Sequence, residues 1–229
     1  MEQSRQSPVE YKPGAYRPLL VLFLLAALIP LYLASRNIAE EQLNDKASQH
    51  LTRIYNGLST TLARHTYLPA LLAEQNTVKN YLSDLADGHT TNPDAVNRDL
   101  EKSNLIAGTS EIYLMTPTGT TVAASNWNLE QTFIGKNFSF RPYFQEAMQG
   151  KLGRYYALGT TSKARGYYFS RPVYENNSVI GVVTTKISIS DFEENWPGEE
   201  FEFIVTGTDG MVFLSSNREW RLRPLEPLS

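Results

Sequence analysis

Gly166-Tyr-Tyr-Phe-Ser-Arg-Pro-Val173, Glu175-Asn-Asn-Ser178 and Val179-Ile-Gly-Val-Val-Thr-Thr-Lys-Ile-Ser-Ile-Ser190 decide the fold when read together. The outer runs are rich in β-branched and aromatic residues, which suit a pleated, half-buried surface. The middle run supplies turn residues, so the three form an antiparallel hairpin. Side chains alternate along a strand. In the last run Val183, Thr185, Ile187 and Ile189 therefore share one face and Val182, Thr184 and Lys186 the other. The first set reads as core. Lys186 lies on the more polar face, which is either solvent or a cavity. A lysine on a mostly apolar sheet points to water or holds an anion. With Arg141 and Arg165 it outlines a pocket for a small anion with two carboxylates.

Working outward, Tyr155–Leu158 reads as a third strand of this group. Glu111–Met115 and Thr120–Ala124 form a strand pair about the turn Thr116-Pro-Thr-Gly119. Phe140–Met148 is a short helix ending at Gly150. Upstream, Leu71–Ala86 and Ala95–Ile106 have helical patterns, separated by the loop Asp87-Gly-His-Thr-Thr-Asn-Pro93, with Asp94 in the N-cap region. Leu43, Ala47, Leu51, Ile54, Leu58 and Leu62 recur at steps of four and three, which is one helical stripe. Nothing breaks this helix from Ser35 to about Thr66, and Pro69 ends it. At 1.5 Å per residue it could span nearly 45 Å, about a domain length. The stripe is a core face, a packing face for a second copy, or both. Helices followed by antiparallel strands make an α+β domain with a central sheet backed by helices.

Pro18–Ala34 contains no charged residue and is nearly all Leu, Val, Ile, Ala and Phe, flanked by Arg17 and Arg36. It sits at the short end for a membrane helix, which needs about 20 residues and can manage about 17. Pro30 within it is tolerated there. Glu2 and Glu10 in a long leader, and the lack of a clean small-x-small site near Ala34, favour an uncleaved anchor over a signal peptide. Arg5, Lys12 and Arg17 favour the N-terminus inside, leaving the rest extracytoplasmic. The formal net charge of −3 gives no basic surface for nucleic acid. The chain has no cysteine, which excludes disulfides, thiolate catalysis and cysteine metal sites. Thirteen tyrosines and ten phenylalanines point to a packed domain.

Three strings carry a resemblance: Arg141-Pro-Tyr-Phe; Gly159-Thr-Thr-Ser-Lys-Ala-Arg-Gly-Tyr-Tyr-Phe-Ser-Arg-Pro-Val173; and Gly181-Val-Val-Thr-Thr-Lys-Ile. In this order they resemble the sensor region of bacterial histidine kinases that detect four-carbon dicarboxylates, the DctB type. The resemblance covers about residues 15 to 224. It implies a double Cache, or tandem PAS-like, architecture. The expected organisation is a cytoplasmic segment (1–17), a transmembrane helix (18–35), helical stalk and sensor helices (36–108), a membrane-distal PAS-like lobe (109–196) and the beginning of a membrane-proximal lobe (197–229). Phe203-Ile-Val-Thr-Gly-Thr-Asp-Gly-Met-Val-Phe-Leu-Ser-Ser216 looks like the opening of that second lobe. The family's kinase half has no counterpart before Ser229, so the chain is expected to bind ligand and signal through stalk and membrane helix, without phosphorylating anything.

The resemblance implies ligand contacts at Arg141 and Lys186. Arg141's planar fork can hold a carboxylate in two parallel bonds. A helix start is otherwise a poor place for a cation. Thr160, Thr161 and Ser162 follow Gly159 in a loop whose hydroxyls and amides suit a carboxylate. Tyr143 and Tyr167 donate hydroxyls or fill the core. Phe138 stands where relatives are expected to carry a tyrosine, at the cost of one hydroxyl contact. Lys163 and Arg165 sit in the same loop as an electropositive rim, and Arg171 reads as solvent-facing. His50, His65 and His89 lack metal-site spacing. Glu193, Glu194, Glu199, Glu200 and Glu202 read as a solvated linker. No cofactor, metal or catalytic residue is expected. The expected partners are a small dicarboxylate, the membrane and a second copy through the stalk. The rival readings are a Cache ectodomain for an amino acid or other small organic acid, and an enzyme. The first needs an acidic partner for the ammonium, which the three strings lack; the second lacks a candidate base.

Overall fold

The computed structural model describes residues 17–189, 193, 202–207 and 210–225. Glu2, Arg5, Glu10, Lys12, Ser190, Glu194, Glu199 and Glu200 lie outside them. The chain divides into two compact units, Met1–Arg53 and Ile54–Ser229.

Helix α1 runs without interruption over Arg17–Thr66 and contains Pro30. It is long and apolar enough in its first part to cross a membrane. Apolar residues such as Leu22, Phe23 and Leu31 are exposed there, as a lipid-facing helix requires.

In the second unit, α2 (Leu68–Ala73) has Pro69 in its first turn, where a missing N–H costs nothing. The pattern over Leu71–Ala86 breaks into two helices. Gln75 is extended, and α3 (Asn76–Ala86) starts anew. The break lets Leu72 and Ala73 of α2 and Val78 and Leu82 of α3 enter the same core. One continuous helix would have set their stripe at a single fixed angle. Helix α4 (Asp94–Ala107) follows Pro93 with no side-chain cap, and Asn92 just before it accepts a 2.9 Å hydrogen bond from the amide of Asp94, the first residue of the helix.

The sheet consists of β1 (Glu111–Met115), β2 (Thr121–Ala124), β3 (Gly153–Leu158), β4 (Arg165–Glu175) and β5 (Ser178–Ser188), in the order β2-β1-β5-β4-β3. Every neighbouring pair is antiparallel. Helix α5 (Pro142–Met148) lies between β2 and β3 in sequence. One face of the sheet packs Ile112, Leu114, Val173 and Val183 against α2, α3 and α4. The other packs Tyr113, Met115, Tyr168 and Val182 against α5 and the Phe133–Phe138 segment. Strands β6 (Ile204–Thr206) and β7 (Val212–Ser215) pair as a separate sheet. Phe203, Phe213 and Leu214 there join Ile54 and Ile189 in a third cluster, with Tyr156 and Tyr167 against it. The architecture is α+β, with a long N-terminal helix and a central antiparallel sheet.

Candidate functional site

The hairpin register decides which residues meet. From the turn, Glu175 pairs with Ser178 and Tyr174 with Val179; a bulge then shifts the pairing, so Val173 meets Gly181 and Tyr168 meets Lys186. Counting on from the turn without the bulge would set Tyr167 opposite Lys186. The extra residue turns Tyr167 to the other face. There its ring packs 4.9 Å from that of Phe169. Tyr167 is thus not brought to the Lys186 side, and Tyr168 takes the place.

On that side a small cavity of about 10 Å³, room for about one water molecule, is lined by Tyr113, Phe133, Phe138, Arg141, Tyr143, Gly159, Thr160, Thr161 and Tyr168. Five expected site residues, Phe138, Arg141, Tyr143, Thr160 and Thr161, come together here. Arg141 precedes α5 in extended conformation. Its Nη2 donates to the Leu158 carbonyl at 3.1 Å, and its guanidinium lies 5.1 Å from the Phe140 ring centre. Lys186 is only 1% exposed. It does not line the cavity itself. Its Nζ donates to Ser162 Oγ at 2.8 Å and lies 3.0 Å from Glu111 Oε2. Gly166 makes room for its stem: a Cβ there would meet Lys186 Cε at 2.7 Å and Cγ at 2.8 Å. The turn after β3 is therefore held by Arg141 at Leu158 and by Lys186 at Ser162, with Thr160 and Thr161 between them.

The back wall is aromatic and hydroxylated. Tyr113 and Tyr143 share a 2.8 Å hydrogen bond between their hydroxyls. Tyr143 stacks on Tyr168, with centres 5.0 Å apart and planes 9° from parallel. Burial pushes the Tyr143 phenol up to about 12, although its bond from Tyr113 and the charge of Arg141 pull it down. Burial, then the neighbouring Tyr143 and Tyr168, raises Tyr113 well above the usual phenol value. All three phenols, Tyr168 included, thus stay protonated at neutral pH; the Tyr113 proton goes to Tyr143, which leaves Tyr143 and Tyr168 free to donate to an anion.

Arg165 does not join the cavity. It points to the third cluster and forks onto Glu193, with Nη1 2.8 Å from Oε1 and a second contact between Nη2 and Oε2. Nη1 also donates to the Phe213 carbonyl at 3.0 Å. Arg221 reaches the same Glu193 carboxylate at 3.0 Å. Glu193 is therefore a nearly buried counter-ion, with its side chain 10% exposed, whereas Glu202 is exposed. Arg171 is only half exposed, and its Nε is buried without a hydrogen-bond partner, so it is not a solvent-facing residue. Lys163 is exposed in the turn, at φ 54°. No cluster of three or more His, Asp or Glu side chains suited to a metal occurs among the described residues.

Four residues of the site were not singled out in the sequence: Tyr113, Phe133, Tyr168 and Glu111. Strand alternation marks Tyr113 and Glu111 as sharing a face. Only the β1–β5 register, with Glu111 opposite Lys186 and Tyr113 opposite Thr184, shows which face it is.

No protein-family model matches the chain. It is similar to the C4-dicarboxylate transport sensor protein DctB of Pseudomonas aeruginosa, 37% identical over 216 residues, which is 93% of this chain and 35% of that protein. The protein of the same name from Rhizobium meliloti is 30% identical over 172 residues, 75% of this chain and 27% of that protein. The chain thus spans about a third of the length of these curated relatives. The crystal structure of the V. cholerae histidine kinase DctB sensor domain superposes with a TM-score of 0.76 at 32% identity, covering 82% of this chain and 72% of that one. Sequence likeness along nearly the whole chain and likeness of fold agree: the chain belongs to the DctB family of sensor domains.

Proposed function

We propose that this chain is the extracytoplasmic input region of a sensor histidine kinase and binds a small dicarboxylate of the succinate, fumarate or malate type. The observation that carries this reading is the turn Leu158–Ser162. Cations hold it at both ends, Arg141 and Lys186, and its threonines line the same cavity as three protonated phenols. One carboxylate suits the Arg141 fork, and the other suits Lys186 and the hydroxyls. Thr160, Thr161, Ser162, Tyr143 and Tyr168 complete the contacts, and Phe138 contributes shape without a hydroxyl. The anchor helix holds the domain at the inner membrane with the cavity in the periplasm. Ligand biases the stalk of a homodimer, which passes the change to a kinase portion outside this chain. Ligand can shift that equilibrium only by its differential affinity for the two states.

A zwitterionic amino acid is the second reading, and Glu111 favours it by supplying the carboxylate that the three strings lack. Against it, Lys186 already engages that carboxylate. Thermal unfolding of the full chain in detergent, with succinate, fumarate, malate, acetate and a panel of amino acids, tests both. A ligand at a hundred times its Kd stabilises the folded state by about 2.7 kcal/mol. Diacids should raise the transition strongly and acetate weakly. Equal shifts from acetate and succinate, or shifts from amino acids alone, would sink the diacid reading.

A further inference from the structure

Glu111 opens β1 directly opposite Lys186 on β5. Its Oε2 is 3.0 Å from the ammonium. The pair is close but not aligned, since the buried Oε2 has no hydrogen-bond partner. Ser162 takes a directed bond from the same nitrogen. Across from them, 6.0 Å away, is the ring of Phe133, which lines the cavity. The ammonium thus stands between an internal carboxylate and the cavity wall. Glu111's charge is also felt at Tyr168, a cavity residue. It helps raise that phenol, after burial and Tyr143.

We propose that Glu111 sets the affinity and the diacid selectivity of this cavity by competing with ligand for the Lys186 ammonium. The inference rests on the anion-binding reading above. A bare ammonium in a low-dielectric site attracts any small anion, whereas a neutral ion pair attracts one far less. The internal carboxylate is tethered to the fold and therefore present at high effective concentration. A monocarboxylate offers Lys186 nothing that Glu111 does not already supply. A diacid also engages Arg141, and that second attachment lets it win the ammonium. Glu111 thereby turns a general anion site into one that requires two carboxylates. Gly166, which packs the lysine stem tightly, keeps Lys186 from turning elsewhere to escape its partner.

The test is calorimetric titration of the full chain in detergent with succinate and with acetate, comparing wild type, Glu111→Gln and Glu111→Asp. Glu111→Gln keeps the size of the side chain and removes the competitor. Succinate should bind about tenfold tighter, and acetate should gain more, so the succinate-to-acetate preference falls by about tenfold or more. If Glu111→Gln does not fold, Glu111→Asp, which draws the carboxylate back by one methylene, should move both quantities the same way by a smaller factor. A folded variant with unchanged or weaker succinate binding and an unchanged preference overturns the inference, and leaves the diacid reading intact if wild type binds succinate. If wild type binds no diacid yet Glu111→Gln does, the inference stands. If neither binds, the diacid reading and the inference fall together.

Discussion

The two faces of the central sheet are built from alternate residues of the same strands, are both largely buried along β1 and β5, and carry different chemistry. On the helix side, Ile112, Leu114 and Val183 are closed over by Leu72, Leu82, Val96 and Leu100. On the cavity side, Tyr113, Ser170, Thr184 and Lys186 are each at most 1% exposed, yet they carry hydroxyls and a charge. Those groups are paired. Ser170 and Thr184 share a 2.7 Å hydrogen bond, Tyr113 bonds Tyr143, and Lys186 has Ser162 and Glu111. Burial alone therefore does not separate the stabilising face from the face proposed to bind. The faces differ in how many buried groups are polar and paired: the cavity side has these four, whereas on the helix side Thr185 is buried with its Oγ1 unpartnered. In a binding cavity some of those partners can be the ligand.

The comparison breaks most forcefully on the helix side. Leu114→Ala should cost about 2–5 kcal/mol of stability, as large-to-small core substitutions do, and leave the succinate affinity of the folded fraction unchanged. Urea unfolding and calorimetry together would show it. A large loss of affinity in the folded protein would mean that the faces are not independent.

On the cavity side the order of effects should reverse. Arg141→Ala and Lys186→Ala should each weaken succinate binding by about 2–4 kcal/mol, because a desolvated carboxylate loses its cation. Arg141→Ala should cost only about 1 kcal/mol of stability, the scale of its hydrogen bond to the Leu158 carbonyl. If the two cations hold opposite ends, each variant should lose most of its preference for diacid over monoacid. A preference retained in both would place them at the same end.

A smaller effect sharpens the same contrast. Tyr113→Phe removes the bond to the Tyr143 hydroxyl and should cost about 1 kcal/mol. These two phenols also predict an alkaline limit. Their protonated forms are favoured in the fold, since burial raises both. The stability they confer is therefore complete below pH 10 and is lost as pH rises through 10 to about 12 and beyond. Absorbance at the tyrosinate band should show two late-titrating phenols that ionise with unfolding. Early ionisation of all tyrosines in a folded protein would contradict it.

The least effect is expected at Arg171, on the helix side. Although half-buried, it lies on the face away from Lys186, because its partner Val183 belongs to the apolar core. Arg171→Met should change succinate affinity by less than about 1 kcal/mol, the scale of a remote charge. Abolished binding there, with Lys186→Ala intact, would move the site to the other face.

The strands, the hairpin turn, the apolar N-terminal run and the long helix were legible in the sequence because each is a local pattern: alternation, turn residues, an apolar run, a stripe at steps of three and four. So was the polar side of the Lys186 strand. The break at Gln75 was not, since the residues either side of it are all compatible with helix. It is the packing of Leu72 and Val78 into one core that makes two helices better than one.

What the sequence determined by itself was which residue types are available on each strand face. What the tertiary structure alone decided was which faces meet. A bulge at Val173–Tyr174 puts Tyr168 rather than Tyr167 opposite Lys186. Pairing between β1 and β5 brings Glu111 to the ammonium from far away in the chain. Arg165, two residues from Tyr167 on the same strand, turns to Glu193 and the Phe213 carbonyl. The physical reason is the same in all three. A one-residue change of register reverses every side chain on a strand. The turn was legible, but register also depends on bulges and partner strands that no local pattern encodes.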